Sequence, residues 1–166
     1  MTAIVDNNAI ELVEDTQKGK FLTFPLGAEI YGIEIKFVTE IIGMQSVTEI
    51  PDLPEYVKGI INLRGKIIPV IDVRLRFKKP AIECNDRTCI VVVDIKDVAV
   101  GLIVDTVSEV LTIADQDIVL PPQLNNSSYQ QRFTKAIGKV GDNVKLILDI
   151  DRLLNDEELS SLKPTE

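Results

Sequence analysis

Much of this chain is written twice. YGIEIKFVTEII, from Tyr31, lies over VGLIVDTVSEVL, from Val100, so that Gly32 meets Gly101, Val38 meets Val107, Thr39 meets Ser108 and Glu40 meets Glu109. Further on, KGIINLRGKIIPVIDVRLRF lies over KAIGKVGDNVKLILDIDRLL, with Asp72 on Asp149. The first match has an offset of 69 (101 − 32) and the second of 77 (149 − 72). The second copy therefore carries about eight more residues, most simply in the polar stretch from Pro121 to Phe133. The chain reads as two units, roughly 20–77 and 88–154. A unit of ~60 residues buries only about 60% of its chain surface and is marginal alone. The two units must pack together or exchange strands.

The runs KFLTFPL, EIYGIEI, KIIPVIDV, TCIVVVDI, VAVGLIV and VKLILDI are rich in β-branched residues and punctuated by Gly, Pro, Asp and Asn, which is strand chemistry. Their short spacing predicts small antiparallel barrels rather than βαβ units. Each unit is expected to run strand, turn, strand, a short helical segment at V-T/S-E, an extended segment, then a hairpin ending in an aspartate. The fold is thus mainly β: two little barrels sharing an interface, with a groove between them, short helices and a C-terminal helix. Residues 1–19 read as a loose polar segment in which AIELVED is ordered only by a contact. Asn155 or Asp156 caps a C-terminal helix over about 152–162, followed by a tail over 163–166. The Asn/Ser-rich loop near Asn125–Ser128 carries no clear element.

Composition narrows the function. Among 166 residues, 18 Lys and Arg face 26 Asp and Glu, a net charge of −8, which argues against nucleic acid or an anionic membrane as partner. No apolar run reaches the ~18–20 residues of a membrane span, so no direct insertion is expected, and the N-terminus lacks the form of a secretion signal. A cytoplasmic protein is expected. The absence of histidine removes the commonest acid/base and phospho-acceptor. Cys84 and Cys89 make neither a disulfide framework nor, without histidine, a good metal site. No phosphate-cradling glycine motif is present; GKVGDN from Gly138 reads as a hairpin turn. No catalytic residue, metal or cofactor is expected. VVVDI around Asp94 is similar to the phospho-accepting strand of a receiver domain, which makes a receiver-like phospho-acceptor using Asp94 the alternative reading. The following KDVAVGLIV looks like a hairpin rather than a helix, and Asp72, Asp94, Asp105 and Asp149 read more simply as caps of turns or helices.

Arg64 stands out in N-L-R-G, where Gly65 allows a tight turn between two greasy strands. The second copy has Gly141 at the matching place, so the fold does not demand an arginine there. A turn arginine is either solvated or presented to a partner, and its planar five-donor fork suits it to interfaces. Glu40 and Glu109, kept in both copies, read as solvated acids on amphipathic turns.

Ile50–Phe77, IPDLPEYVKGIINLRGKIIPVIDVRLRF, together with FLTFPLGAEIYGIEI from Phe21 and GLIVDTVSEVL from Gly101, closely resembles the signature of the CheW-like domain family. The resemblance spans Lys20 to Leu162. It implies two SH3-like five-stranded barrels with partly exchanged strands and no catalytic activity. It further implies an adaptor that couples methyl-accepting chemotaxis receptors to the histidine kinase CheA, by binding the receptors' cytoplasmic hairpin tip and the kinase's regulatory domain. Carried over by motif, the receptor-binding residues are Arg64, Gly59, Asn62, Gly65, Cys89, Val104 and Asp105, and the kinase-binding residues are Val38, Glu40, Ile41 and Ile42. Cys89 stands where an aliphatic residue is usual, and Pro25 in the first strand suggests an edge or a bulge. The two units leave no room for an ATP-binding or receiver domain, so a free-standing adaptor is expected, recruited through receptors to the inner face of the membrane.

Overall fold

The computed structural model describes residues 18–121 and 133–162. The expectations placed on residues 1–17, on the Asn125–Ser128 loop and on the tail 163–166 lie outside them. Eleven strands are present among the described residues: β1 (Lys20–Leu26), β2 (Glu29–Glu34), β3 (Val38–Gly43), β4 (Val57–Leu63), β5 (Lys66–Asp72), β6 (Cys89–Ile95), β7 (Val98–Val104), β8 (Glu109–Thr112), β9 (Ile118–Val119), β10 (Thr134–Val140) and β11 (Asn143–Leu148). The helices are α1 (Val73–Arg76), α2 (Ile150–Leu153) and α3 (Asp156–Leu162).

The strands form two sheets, and neither belongs to one unit. Barrel I has the order β3-β6-β7-β5-β4, and barrel II the order β8-β1-β2-β11-β10-β9. The first hairpin of each unit, β1–β2 or β6–β7, is donated to the other unit's barrel. The parallel ladders that receive the donated hairpins obey the repeat: Val70 pairs with Gly101 in barrel I and Ile147 with Gly32 in barrel II. Even the bulge in the terminal hairpin recurs, at Lys58 and at Lys135. Barrel I closes through the bridge Thr48–Ile60, with N–H···O distances of 2.9 Å in both directions. Barrel II closes because β8 and β9, successive in the chain around a 3₁₀ turn at Asp115–Asp117, pair at its two edges. Counting β8 and β9 as one interrupted strand, each barrel has five.

Exchange puts the largest apolar cluster between the barrels. Phe24, Tyr31, Ile33, Phe77, Val93, Leu102, Phe133 and Leu148 are among its buried members, and Phe77 stacks on Phe133 with centroids 5.3 Å apart. Each barrel adds a smaller interior, built on Ile61, Ile68, Val70, Ile90 and Val92 in barrel I and on Phe21, Ile113, Ala136 and Ile147 in barrel II. A fully buried side chain of this size stabilises by about 1.5–3 kcal/mol, so most of the hydrophobic term depends on both units being present.

Two expectations are corrected. The V-T/S-E segments are not helical: Val38–Gly43 is β3, with alternating burial and an antiparallel ladder to β6, and Glu109–Thr112 is β8. Their β-branched residues are at home on a pleated surface, and a donated hairpin offers each one a ladder. The helical part is a single 3₁₀ turn, Ile35–Phe37. The C-terminal helix begins earlier and is broken, α2 ending at Leu154 in extended backbone (φ −132°, ψ 131°) before α3. Asn155 caps α3 in a reciprocal box, its Oδ1 accepting from the Glu158 N–H at 2.7 Å and Glu158 Oε1 accepting from the Asn155 N–H at 2.9 Å. Asp72 and Asp149 cap α1 and α2 as read from the sequence. Pro25 lies past the point, Thr23–Glu109, where the β1–β8 ladder ends, so its missing N–H costs no pairing there.

Candidate partner-binding surface

Arg64 and Gly65 are the two residues of the β4–β5 hairpin turn, closed by the pair Leu63–Lys66. Both have positive φ, 53° and 87°, the type I′ geometry whose twist matches the flanking strands. Asn62 supports the turn by accepting the Gly65 N–H on Oδ1 at 2.8 Å. The Arg64 side chain is 69% exposed, and Nη2 donates to Glu40 Oε2 on β3 at 2.5 Å. That hydrogen bond, reinforced by the carboxylate's charge, raises the guanidinium further above its already high pKa. Under this pair opens a cleft of about 420 Å³ at the mouth of barrel I, with Leu63, Ile68, Val92 and Ala99 below and Asp94 and Asp97 on the far rim. Beside it runs β3, an edge strand on which Ile41 is 41% exposed, while Val38 and Ile42 pack partly into the shared and barrel I cores.

The residues expected to bind the receptor do not gather in one place. Arg64, Asn62 and Gly65 sit at the end of barrel I where β6 reaches Asp94. Cys89, Val104 and Asp105 sit at the other end, five residues or about 17 Å along β6. Glu40, expected on the kinase face, is the ion-pair partner of Arg64 and belongs to the first group. Two of the eleven carried-over positions are inside the protein. Val104 is 1% exposed. Gly59 has φ 144°, and a Cβ there would lie 2.0 Å from the Thr48 carbonyl oxygen, so its glycine is required by the bridge that closes barrel I. Cys89 is half-buried and faces the Arg87 carbonyl.

Asp105 is held by a residue the sequence reading passed over. Arg74 Nε donates to both its carboxylate oxygens, at 2.9 and 3.0 Å, and Nη2 donates to Oδ2 at 2.6 Å. The hydrogen bonds to Asp105 raise the Arg74 pKa, against a smaller opposing effect of burial. Nothing in the local pattern VRLR could reveal this, because the partners are 31 positions apart and meet only across the β5–β7 ladder.

Asp94 is exposed and lies in the antiparallel hairpin β6–β7. A receiver presents its acceptor from a parallel sheet sandwiched by helices; that architecture is not this one, and the phospho-acceptor alternative is overturned by the fold. No helix among the described residues is long and apolar enough to cross a membrane.

The family model of the CheW-like domain matches residues 20–158. The chain is 35% identical over 150 residues to the Chemotaxis protein CheW of Klebsiella aerogenes, covering 90% of each chain. It is 32% identical over 157 residues to the Chemotaxis protein CheW of Treponema pallidum, covering 92% of each. The crystal structure of the scaffolding protein TtCheW from Thermoanaerobacter tengcongensis superposes with a TM-score of 0.77 at 37% identity, over 84% of this chain and 94% of that one. Sequence and architecture agree: the chain belongs to the CheW-like domain family.

Proposed function

We propose that this protein is a non-catalytic chemotaxis adaptor that couples methyl-accepting chemotaxis receptors to the histidine kinase CheA. The receptor's cytoplasmic hairpin tip and the kinase's regulatory domain bind it on separate faces, and the receptors recruit it to the inner face of the membrane. The chemotaxis scaffold role rests on family membership. The observation that carries the two-partner reading is Arg64, held out on a stiff I′ turn above an open mouth with an apolar floor and a charged rim, while the equivalent turn of barrel II has Gly141. An exposed arginine fixed in direction loses little entropy on binding and can fork onto carboxylates or carbonyls of a helix tip. The edge strand β3, with Ile41 outward, suits a homologous barrel docking edge or face on. Among the carried-over residues, Arg64, Asn62 and Gly65 then read the receptor at one end of barrel I, with Cys89, Val104 and Asp105 shaping the other, while Val38, Glu40, Ile41 and Ile42 meet the kinase. Gly59 and Val104 act by keeping the barrel's shape. The Glu40–Arg64 ion pair joins the two faces at one rim.

Titration calorimetry against a receptor hairpin-tip fragment and against the CheA regulatory domain tests this. Arg64→Ala weakens receptor binding roughly tenfold or more, in the range of an interface hot spot, and leaves the urea midpoint unchanged. Ile41→Asp removes kinase-domain binding and spares the receptor. A wild-type protein that binds neither partner ends the reading.

A further inference from the structure

We propose that Arg74 is a positioning residue for the receptor contact: it seats the segment between the two units, residues 78–87, as one wall of a second cleft, which a receptor helix enters at the Cys89 end of barrel I. The inference rests on the adaptor reading above and extends the receptor surface beyond the residues named there. The cleft measures about 260 Å³. Met44, Val47 and Ile103 line it from barrel I, and Ala81 and Ile82 from the segment. Ile82 is 48% exposed although it stands beside these apolar groups.

The segment is tied down at both ends. At its start the Arg74 carbonyl accepts the Lys79 N–H at 2.8 Å, and Arg74 Nη1 reaches the Pro80 carbonyl at 3.4 Å. At its end a turn is closed by Asn85 and Thr88, with the Asn85 N–H on Thr88 Oγ1 at 2.9 Å and the Arg87 N–H on Asn85 Oδ1 at 2.8 Å. Arg74 can serve as the first anchor because Asp105 grips it with both oxygens. Both oxygens are engaged by Arg74, so Asp105 bears on a partner through Arg74 and the wall. The grip uses two guanidinium nitrogens on both carboxylate oxygens, a fork lysine cannot reproduce. The half-exposed Ile82 lines the cleft together with Met44 and Val47 and offers a slot for the apolar stripe of an amphipathic helix. Continuity with Cys89 and Asp105 through Thr88 and Arg74, which also line it, favours the receptor helix over the kinase domain, whose proposed strand β3 turns Ile41 elsewhere.

Two variants separate wall from fold. Ile82→Ser changes an exposed side chain, and Arg74→Lys keeps the charge while losing the fork. Each is measured by calorimetry with the receptor hairpin-tip fragment and with the CheA regulatory domain, alongside amide hydrogen exchange of residues 81–84. The expected result is a roughly three- to tenfold loss of receptor affinity in both variants with kinase-domain affinity unchanged. Amides 81–84 gain protection when the fragment binds wild-type protein, and they exchange faster in free Arg74→Lys but not in free Ile82→Ser. Wild-type protein that binds the fragment with unaltered exchange at 81–84, and an Ile82→Ser variant that binds it as well as wild type, overturn the wall. Wild-type protein that does not bind the fragment overturns the adaptor reading, and the wall with it.

Discussion

Gly32 and Gly101, the first residues to betray the repeat, are glycines for one physical reason. They lie on the parallel ladders where a donated hairpin meets its host, and a Cβ on Gly101 would come within 2.7 Å of Ile90 Cγ2 and 2.8 Å of Val70 Cγ1. Both neighbours are buried, β-branched and stiff at χ1. Gly101→Ala therefore overpacks barrel I and costs about 1–3 kcal/mol, read as a lower urea midpoint with an unchanged slope. Tyr31, beside Gly32, is fully buried, and its hydroxyl donates to Glu29 Oε2 at 2.5 Å. Burial first, then the Glu29 hydrogen bond and charge, hold its proton far above the ordinary value. Below the usual tyrosine pKa of about 10 the folded and unfolded chains both keep this proton. Above it the unfolded chain releases it and the folded chain does not, so stability falls as pH rises beyond that point. Alkaline titration of unfolding free energy shows this limb in wild type and a flatter one in Tyr31→Phe.

Single elements were legible in proportion to how local their causes are. The β4–β5 turn, the aspartate caps of α1 and α2 and the Asn155 cap of α3 need only neighbours in the chain, and all were readable. β3 and β8 were misread because a short apolar run with an acid in it suits one turn of helix as well as a strand. The neighbour decides, and β6 or β1 comes from the other unit. The capping box gives α3 its own test. Asn155→Ala costs about 1 kcal/mol, and because α3 joins the shared core mainly through Leu159, the loss appears as faster amide exchange over Asp156–Leu162 before any global unfolding.

At the level of the whole molecule the exchange of hairpins makes the barrels inseparable. Neither unit holds a complete barrel, and the largest core cluster draws on strands of both. A chain of residues 18–86 or of 87–166 alone is expected to lack the near-ultraviolet dichroism and amide dispersion of a folded protein, whereas the two mixed together recover the native spectrum. The intact chain unfolds in one transition seen alike by fluorescence and circular dichroism. Independent folding of either fragment, or two resolved transitions, contradicts this picture.

The residue pattern by itself determined the strand-rich class, the duplication, the turns and caps, and the surface placing of Arg64, because each follows from side-chain period and from the backbone freedom of a few consecutive residues. Only the tertiary structure decided which unit each hairpin completes. It also placed Glu40 on Arg64, bound Asp105 to Arg74, and spread the carried-over receptor residues over both ends of barrel I. Those are contacts between groups 24 to 115 (147 − 32) positions apart, and their formation depends on how two marginal half-cores bury each other rather than on any local preference.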